Sequence, residues 1–389
     1  MILKAIKYCR NKADKNEWTI RGNPIDNEWL DLNQINLIVG RNASGKTKTI
    51  QIIREMADLL AGDTKLSQLI YDTSTYELMF EDGNDKIEYF LDFKNGGITR
   101  EIFKINGTEK LNRTEAKCNL FYEKFGQYSD FNVDNDFLVI SSTRDTTQHP
   151  FFKGLYNWGK NLSHYRFGDK LGKNVAIKDI NRIKEDDDVD LKDGDDVIGI
   201  FVKGEKSFHN QFIDSVINDM NRLGYPLDEI TVNSLKRLPF GFGLSVQETE
   251  LKEVTDQMDM SQGMFRALSL LIQLNYSLLA QIPSCILIDD IGEGLDYERA
   301  KALIELIIEK LKGSSVQVIM TTNDQFVMDK VPLEYWSVIR RLENKSIFYN
   351  YINAKQTFDD FVFTGLNNFD FYASEFFIHG FDDYVKDVI

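Results

Sequence analysis

Eight consecutive residues, Gly40-Arg41-Asn42-Ala43-Ser44-Gly45-Lys46-Thr47, carry the plainest chemistry in the chain. A glycine, four residues and then Gly-Lys-Thr is the spacing of a loop that cradles phosphate. Gly40 and Gly45 let the backbone turn so that successive N–H groups face one anion. A helix starting near Lys46 adds its positive end. Lys46 supplies a point charge for β- and γ-phosphates, and Thr47 offers a hydroxyl to Mg²⁺. Thr49, further along this helix, is counted with the nucleotide contacts. The alternative, a chance match in a Gly/Ser turn, is opposed by the flanks. Ile35–Val39 is a short apolar run suited to a buried strand, and Thr47–Met56 has helical spacing.

Later segments hold a second set of candidates. Ile286-Leu287-Ile288-Asp289-Asp290 is an apolar strand ending in two carboxylates. Asp289 is placed to join the metal shell, and Asp290 to orient or deprotonate a water. An ordinary strand cap is the plainer explanation of that pair taken alone. In Met260-Ser261-Gln262-Gly263-Met264-Phe265-Arg266, a serine hydroxyl, a glycine N–H and a helix start make a second anion site, or simply an N-cap by Ser261. Gly294-Leu295-Asp296 follows, and then Thr321-Thr322-Asn323-Asp324 after the strand Val316–Met320. The Asn323 amide can hydrogen-bond a γ-phosphate or a water but does not titrate near neutrality. Phe137–Ser142 is expected to be a core strand that delivers the loop Thr143–Pro150, with Gln148 in it.

In this order the motifs resemble those of ABC-type ATPases: phosphate loop, Q-loop, signature, Walker B, D-loop and switch, spanning Val39 to Asp324. The resemblance implies ATP and Mg²⁺ as cofactors, with Thr47, Asp289 and the Q-loop candidate Gln148 around the metal. It also implies Asp290, Asn323 and Gln148 as catalytic residues. Ser261 and Gly263 of one subunit would close on the γ-phosphate held by another, with Asp296 at the interface. The antiparallel insertion and the Ser-Gln-Gly-Met-Phe-Arg signature are similar to the chromosome-maintenance and RecF-type heads. Ile288–Asp296 resembles stand-alone ATPases of prokaryotic anti-phage operons, including OLD relatives, which act with a nuclease or other effector. The chain departs from the pattern in three places. No long coiled coil lies between Gln148 and Ser261, Asp290 stands where a glutamate is usual, and Asn323 stands where a histidine is usual.

The elements that must position these residues follow from periodicity. Ile2–Tyr8 and Glu17–Ile20 suit a hairpin, with Tyr8 or Trp18 available to an adenine ring but better explained by packing. The first helix runs to about Leu60. Tyr76–Phe80, Lys86–Phe93 and Ile98–Ile105, divided by Glu81–Asp85 and Lys94–Gly97, form an antiparallel insertion. Phe151 to about Arg222 is expected to be mostly helical, broken by the acidic run Lys184–Asp190. Leu244–Glu248 is a strand, Ser261–Ala280 a long helix, Cys285–Ile288 a strand, Tyr297–Leu311 a helix, and Trp336–Arg340 a further strand. From Thr357 on, Phe358, Phe361, Phe363, Phe369, Phe371, Tyr372, Phe376 and Phe377 suggest a packed cap or dimer surface. The fold class expected is α/β, a P-loop NTPase of ABC-type head with a mixed central sheet, an antiparallel β subdomain and a helical lobe. The expected parts are 1–150 and 258–350 for the ATPase core, 151–257 for the helical lobe and 351–389 for the cap.

Composition narrows the classes. The 389 residues carry net charge −15, with 42% hydrophobic and 28% charged residues, as in an ordinary soluble globule. A broad grip on nucleic acid is disfavoured by that charge, so nucleic acid is possible but not indicated. Cys9, Cys118 and Cys285 are far apart and odd in number, which fits a reducing cytoplasm. His149, His164, His209 and His379 lack metal-ligand spacing, no apolar run spans a bilayer, and Met1–Lys7 is too short and charged for a signal peptide. Three functions compete. The first is a head-to-head dimer that closes on Mg-ATP and switches a protein effector, a nuclease or toxin encoded nearby, in anti-phage defence. The second is a repair or recombination ATPase clamping DNA through a stripe of Lys170, Lys173, Lys178, Arg182 and Lys184. The third is a transporter subunit, disfavoured by the insertion and the missing switch histidine.

Overall fold

The computed structural model describes the chain except for residues 24–27, 116, 133, 144, 146, 170, 179–188, 190, 239 and 382–389. Most of the acidic run and three cations of the proposed stripe, Lys170, Arg182 and Lys184, lie outside the described residues. The chain divides into two compact units, residues 1–160 with 332–389, and residues 161–331.

In the first unit, β1 (Ile2–Arg10) pairs antiparallel with β2 (Trp18–Gly22), the expected hairpin, and with β3 (Leu30–Asp31). Tyr8 and Trp18 are 1% and 6% exposed and meet edge to face, so both are packing residues. All five residues of β4 (Ile35–Val39) are buried, as their unbroken apolar run requires. It feeds the loop that starts α1 (Lys46–Ala61), which ends at a left-handed Gly62.

The insertion follows as a meander: β5 (Ser74–Asp82), β6 (Asp85–Lys94), β7 (Gly97–Ile105), β8 (Thr108–Thr114), β9 (Cys118–Tyr122) and β10 (Gln127–Asp130). Each pairs antiparallel with the next, and β5 pairs with β1. Asn95 and Gly96 both have positive φ, the backbone a two-residue hairpin turn needs.

Phe137–Ser142 corrects one expectation. It is not a strand but a single turn, α2 (Val139–Ser142). Both oxygens of the buried Glu101 carboxylate, on β7, lie 3.1 Å from the Val139 amide, and Arg113 on β8 donates to the Phe137 carbonyl at 2.9 Å. A six-residue apolar run has too little length to display its period, so these long-range bonds decide it. Then α3 (Lys153–Lys160) crosses α1 so closely that a Cβ on Gly159 would sit 2.5 Å from the Ala57 carbonyl.

The second unit opens with β11 (Leu162–Arg166), inside the stretch expected to be mostly helical. Four of its five residues are buried, and it runs parallel to the strand at Ser284–Asp289; five residues are too few to show a period. Next come α4 (Val197–Arg222), broken at His209, and a small antiparallel sheet of β12 (Leu227–Ser234), β13 (Phe242–Glu248) and β14 (Thr255–Asp256). The buried helix α5 (Gln262–Leu279) leads to β15 (Ser284–Asp289), α6 (Tyr297–Leu311), β16 (Val316–Thr322) and α7 (Gln325–Lys330). The β11, β15 and β16 strands form a parallel set, so the ends of β15 and β16 lie side by side.

The chain then rejoins the first unit. There β17 (Trp336–Leu342) pairs parallel with β4 and antiparallel with β18 (Lys345–Asn350), which in turn pairs parallel with β2. The short helices α8 (Lys355–Val362), α9 (Asn368–Ala373) and α10 (Phe376–His379) pack Phe358, Phe361, Phe371, Phe376 and Phe377 together, while Phe363 stays 87% exposed.

Candidate functional site

The loop of Gly40–Thr47 joins β4 to α1. A Cβ on Gly40 would lie 2.4 Å from Ile339 Cγ2 and 2.8 Å from the Ile339 carbonyl, so β17 leaves room only for glycine. Gly45, at φ 114°, takes a conformation closed to L side chains, and it starts α1 with no side-chain cap. Lys46 and Lys48 sit in the first turn and no acid does, although a helix start favours negative charge. The Ser44 hydroxyl is buried without a hydrogen-bond partner. Cations without a balancing acid and an orphaned hydroxyl at one helix start fit a bound phosphate. The Lys46 ammonium donates to the Gly40 carbonyl at 2.8 Å and the Arg41 carbonyl at 3.2 Å. Thr47 is exposed at the helix start, whereas Thr49 is fully buried and donates to the Gly45 carbonyl.

Contacts from β17, β18 and the cap hold the loop. The Ser346 hydroxyl donates to the Ser44 carbonyl at 3.0 Å, and Arg341 donates to the Ala43 carbonyl at 3.3 Å. Arg41 forms a 2.8 Å ion pair with Glu375. Lys48 lies over the Trp18 ring at 4.1 Å.

In the second unit, the ends of β15 and β16 bring four residues together. The Thr321 hydroxyl donates to the Asp289 carboxylate at 2.5 Å and accepts the Asp290 amide at 2.9 Å. The Asn323 side-chain amide donates to the Asp290 carboxylate at 3.3 Å. Asp289 is 6% exposed, and Asp290 is half-buried at φ 55°. A non-glycine residue in that region costs free energy unless its surroundings hold it. Here the Thr321 hydroxyl and the Glu293 amide, which donates to the Asp290 carbonyl, do so.

The segments at Ser261 and Gly294 interlock. Ser261 caps α5, accepting the Met264 amide at 3.1 Å, and its residue stays exposed. Gly263 packs so tightly that a Cβ would meet the Gly294 carbonyl at 2.5 Å. Arg266, 5% exposed, donates to the Glu293 carbonyl at 2.8 Å and to the Asp169 carbonyl at 3.3 Å. Asp296 caps α6 by accepting the Arg299 amide at 3.1 Å, which with the Arg299 side chain holds its carboxyl below the usual range. Gln148 is half-buried in a loop of the first unit, its amide donating to Asp145 and its carbonyl accepting from Glu123. That loop follows α2 rather than a strand.

Residues 35–329 match a family model described as "AAA domain, putative AbiEii toxin, Type IV TA system". The chain belongs to this AAA-domain family. No curated protein matches the sequence. The AAA-domain chain also resembles solved Smc heads in fold. An Smc head bound to the C-winged helix domain of ScpA is 14% identical, with TM-score 0.52 over 90% of this chain and 97% of that one. An Smc head with an extended coiled coil, bound to the C-terminal domain of ScpA derived from Pyrococcus furiosus, is 16% identical, with TM-score 0.51 over 92% and 99%. The fold is therefore the mixed α/β P-loop head, and the family is one of AAA domains, consistent with ATP binding. Among the described residues no helix is long and apolar enough to cross a membrane.

Sequence reasoning missed Thr321 as the bridge between Asp289 and Asp290, and it missed the roles of Arg266 and Glu375. The doubled threonine at the end of an apolar strand was the available signal for Thr321; nothing local marks Glu375.

Proposed function

We propose that the chain binds and hydrolyses ATP as a head-to-head dimer and uses the closed state to switch a partner effector. The observation that carries the reading is the uncapped, lysine-bearing start of α1 with its unpartnered Ser44 hydroxyl, a helix end suited to an anion. In this proposal the Gly40–Thr47 backbone and Lys46 hold the phosphates. Thr47, Asp289 and Gln148 would hold Mg²⁺, which would supply charge neutralisation at the β- and γ-oxygens. Asp290 orients or deprotonates the attacking water, and Asn323 fixes the Asp290 carboxylate. The exposed Ser261 and the buried Gly263, at one helix start, complete the γ-phosphate site of a second copy, with Asp296 beside them.

The family description names a toxin, which supports a setting in anti-phage defence with a nuclease or toxin as effector. The net charge of −15 counts against DNA as the main partner.

Lys46→Ala should abolish ATP binding by calorimetry. Asp290→Asn should bind ATP, hydrolyse it far more slowly, and shift from monomer to dimer by light scattering when Mg-ATP saturates it. An Asp290→Asn protein that stays monomeric under saturating Mg-ATP overturns the closed-dimer mechanism.

A further inference from the structure

Tyr225 stands beside the exposed Ser261 and carries none of the roles proposed above. It lies just beyond the end of α4, where the chain turns at Gly224 with φ 77°. The Tyr225 amide donates to the Met220 carbonyl and the Gly224 amide to the Asn221 carbonyl, both at 3.0 Å. This pair of bonds closes a helix end in a fixed geometry, so the backbone sets the direction in which Tyr225 leaves α4. The Arg299 guanidinium covers the Tyr225 ring at 4.4 Å. It also donates to the Gly224 carbonyl at 3.1 Å and pairs with Asp296. One arginine on α6 thus joins the Tyr225 turn to the cap of its own helix.

The phenol end of the ring meets the two residues proposed to face a second copy's γ-phosphate. A Cβ on Gly263 would lie 3.3 Å from the Tyr225 hydroxyl, and Ser261 is the side chain that this hydroxyl hydrogen-bonds. Burial pushes the phenol above its ordinary value, opposed by Arg299, so it keeps its proton near neutrality. A serine hydroxyl has two lone pairs and one proton. One lone pair of Ser261 already accepts the Met264 amide at 3.1 Å. A phenol is more acidic than an alcohol and is the better donor of the two. Once it donates to the second lone pair, the serine has only its own proton left to offer. Ionised phosphate oxygens only accept, so a serine confined to donating matches them.

We propose that Tyr225 is a positioning residue: its hydroxyl donates to Ser261 Oγ and so turns the serine proton outward, to an oxygen of the nucleotide held by a second copy. Arg299 holds the ring in place for this. The role rests on the head-to-head dimer proposed above.

Asp290→Asn with saturating Mg-ATP supplies that dimer, and light scattering over a range of protein concentrations gives its dissociation constant. Adding Tyr225→Phe keeps the ring under Arg299 and removes only the hydroxyl. It should raise the dissociation constant about tenfold, while the thermal midpoint without nucleotide and ATP binding to the monomer stay unchanged. Ser261→Ala should weaken the dimer at least as much. Combining Tyr225→Phe with Ser261→Ala should change nothing further, because a hydroxyl that acts through the serine has nothing to act on once the serine is gone. A packing role would lower the midpoint and add to the effect of Ser261→Ala, and either result overturns the inference. So does a dimer that Ser261→Ala weakens and Tyr225→Phe leaves intact, an outcome that spares the dimer itself, and so does a dimer indifferent to Ser261→Ala. An Asp290→Asn protein that stays monomeric brings down the dimer and the role of Tyr225 together.

Discussion

The Thr321 hydroxyl donates to the Asp289 carboxylate at 2.5 Å, and the same oxygen accepts the Asp290 amide at 2.9 Å. One side chain near the end of β16 thus holds the Asp289 carboxylate and the backbone of Asp290. Thr321→Val keeps the shape and removes both bonds. It should cost about 1–3 kcal/mol of stability and lower the ATPase rate, while Thr321→Ser should restore most of each. Denaturant midpoints and steady-state ATPase rates for the two variants check this; equal rates in the two would deny Thr321 a positioning role.

Gly263→Ala places a methyl 2.5 Å from the Gly294 carbonyl and 3.1 Å from Leu295 Cδ2. The Gly294 backbone is not the end of a flexible chain and must shift. The expected cost is about 1–3 kcal/mol, read as a lower melting temperature. ATP-driven dimerisation should fall more steeply than nucleotide binding, because the disturbed segments belong to the proposed partner-facing surface.

Glu101 and Arg113 form a buried pair in the antiparallel insertion, 0% and 3% exposed at 3.6 Å. Burial pushes the Glu101 carboxyl up, opposed by the Val139 amide and the Arg113 guanidinium. Arg113→Met strips the carboxylate of its partner and frees the carbonyls of Phe137 and Asp134. A loss of about 3–5 kcal/mol is expected by chemical denaturation. Because Arg113 and Glu101 hold the segment around α2, hydrogen exchange at Val139–Thr143 should rise more than in β5 or β6.

His149 gives a pH dependence with a definite sign. Burial lowers its folded value below the ordinary 6.5. Above about 6.5 it is neutral in both states and its contribution is constant. As pH falls below that, the unfolded chain binds the proton first, so stability is lost until the folded value is passed. The drop in melting temperature between about pH 7 and 5 should be smaller in His149→Phe than in the wild type.

Asn323 donates to Asp290 but does not titrate near neutrality. Asn323→His should introduce an ionisation near pH 6.5 into the rate profile that the wild type lacks. Identical profile shapes in the two proteins would show that position 323 does not act on the hydrolytic step.

Much of this protein was legible in its residues because the information is local. Glycine spacing specified the turn from β4 into α1, alternation with Asn95-Gly96 specified a hairpin, an apolar run ending in Asp289 and Asp290 specified a buried strand ending in carboxylates, and Tyr297–Leu311 appeared as a helix with its observed bounds. Turn chemistry, capping and period act over a few residues, so the chain carries them in plain order. What the tertiary structure alone decided depends on residues far apart. Glu101 and Arg113 make a turn of the apolar run after Phe137, β15 recruits Leu162–Arg166 as a strand, Thr321 bridges the Asp289 carboxylate and the Asp290 amide 32 and 31 positions away, and Glu375 reaches Arg41 across 334. A hydrogen bond or a burial between such residues exists only once the sheet order is set, and no window along the chain contains both partners.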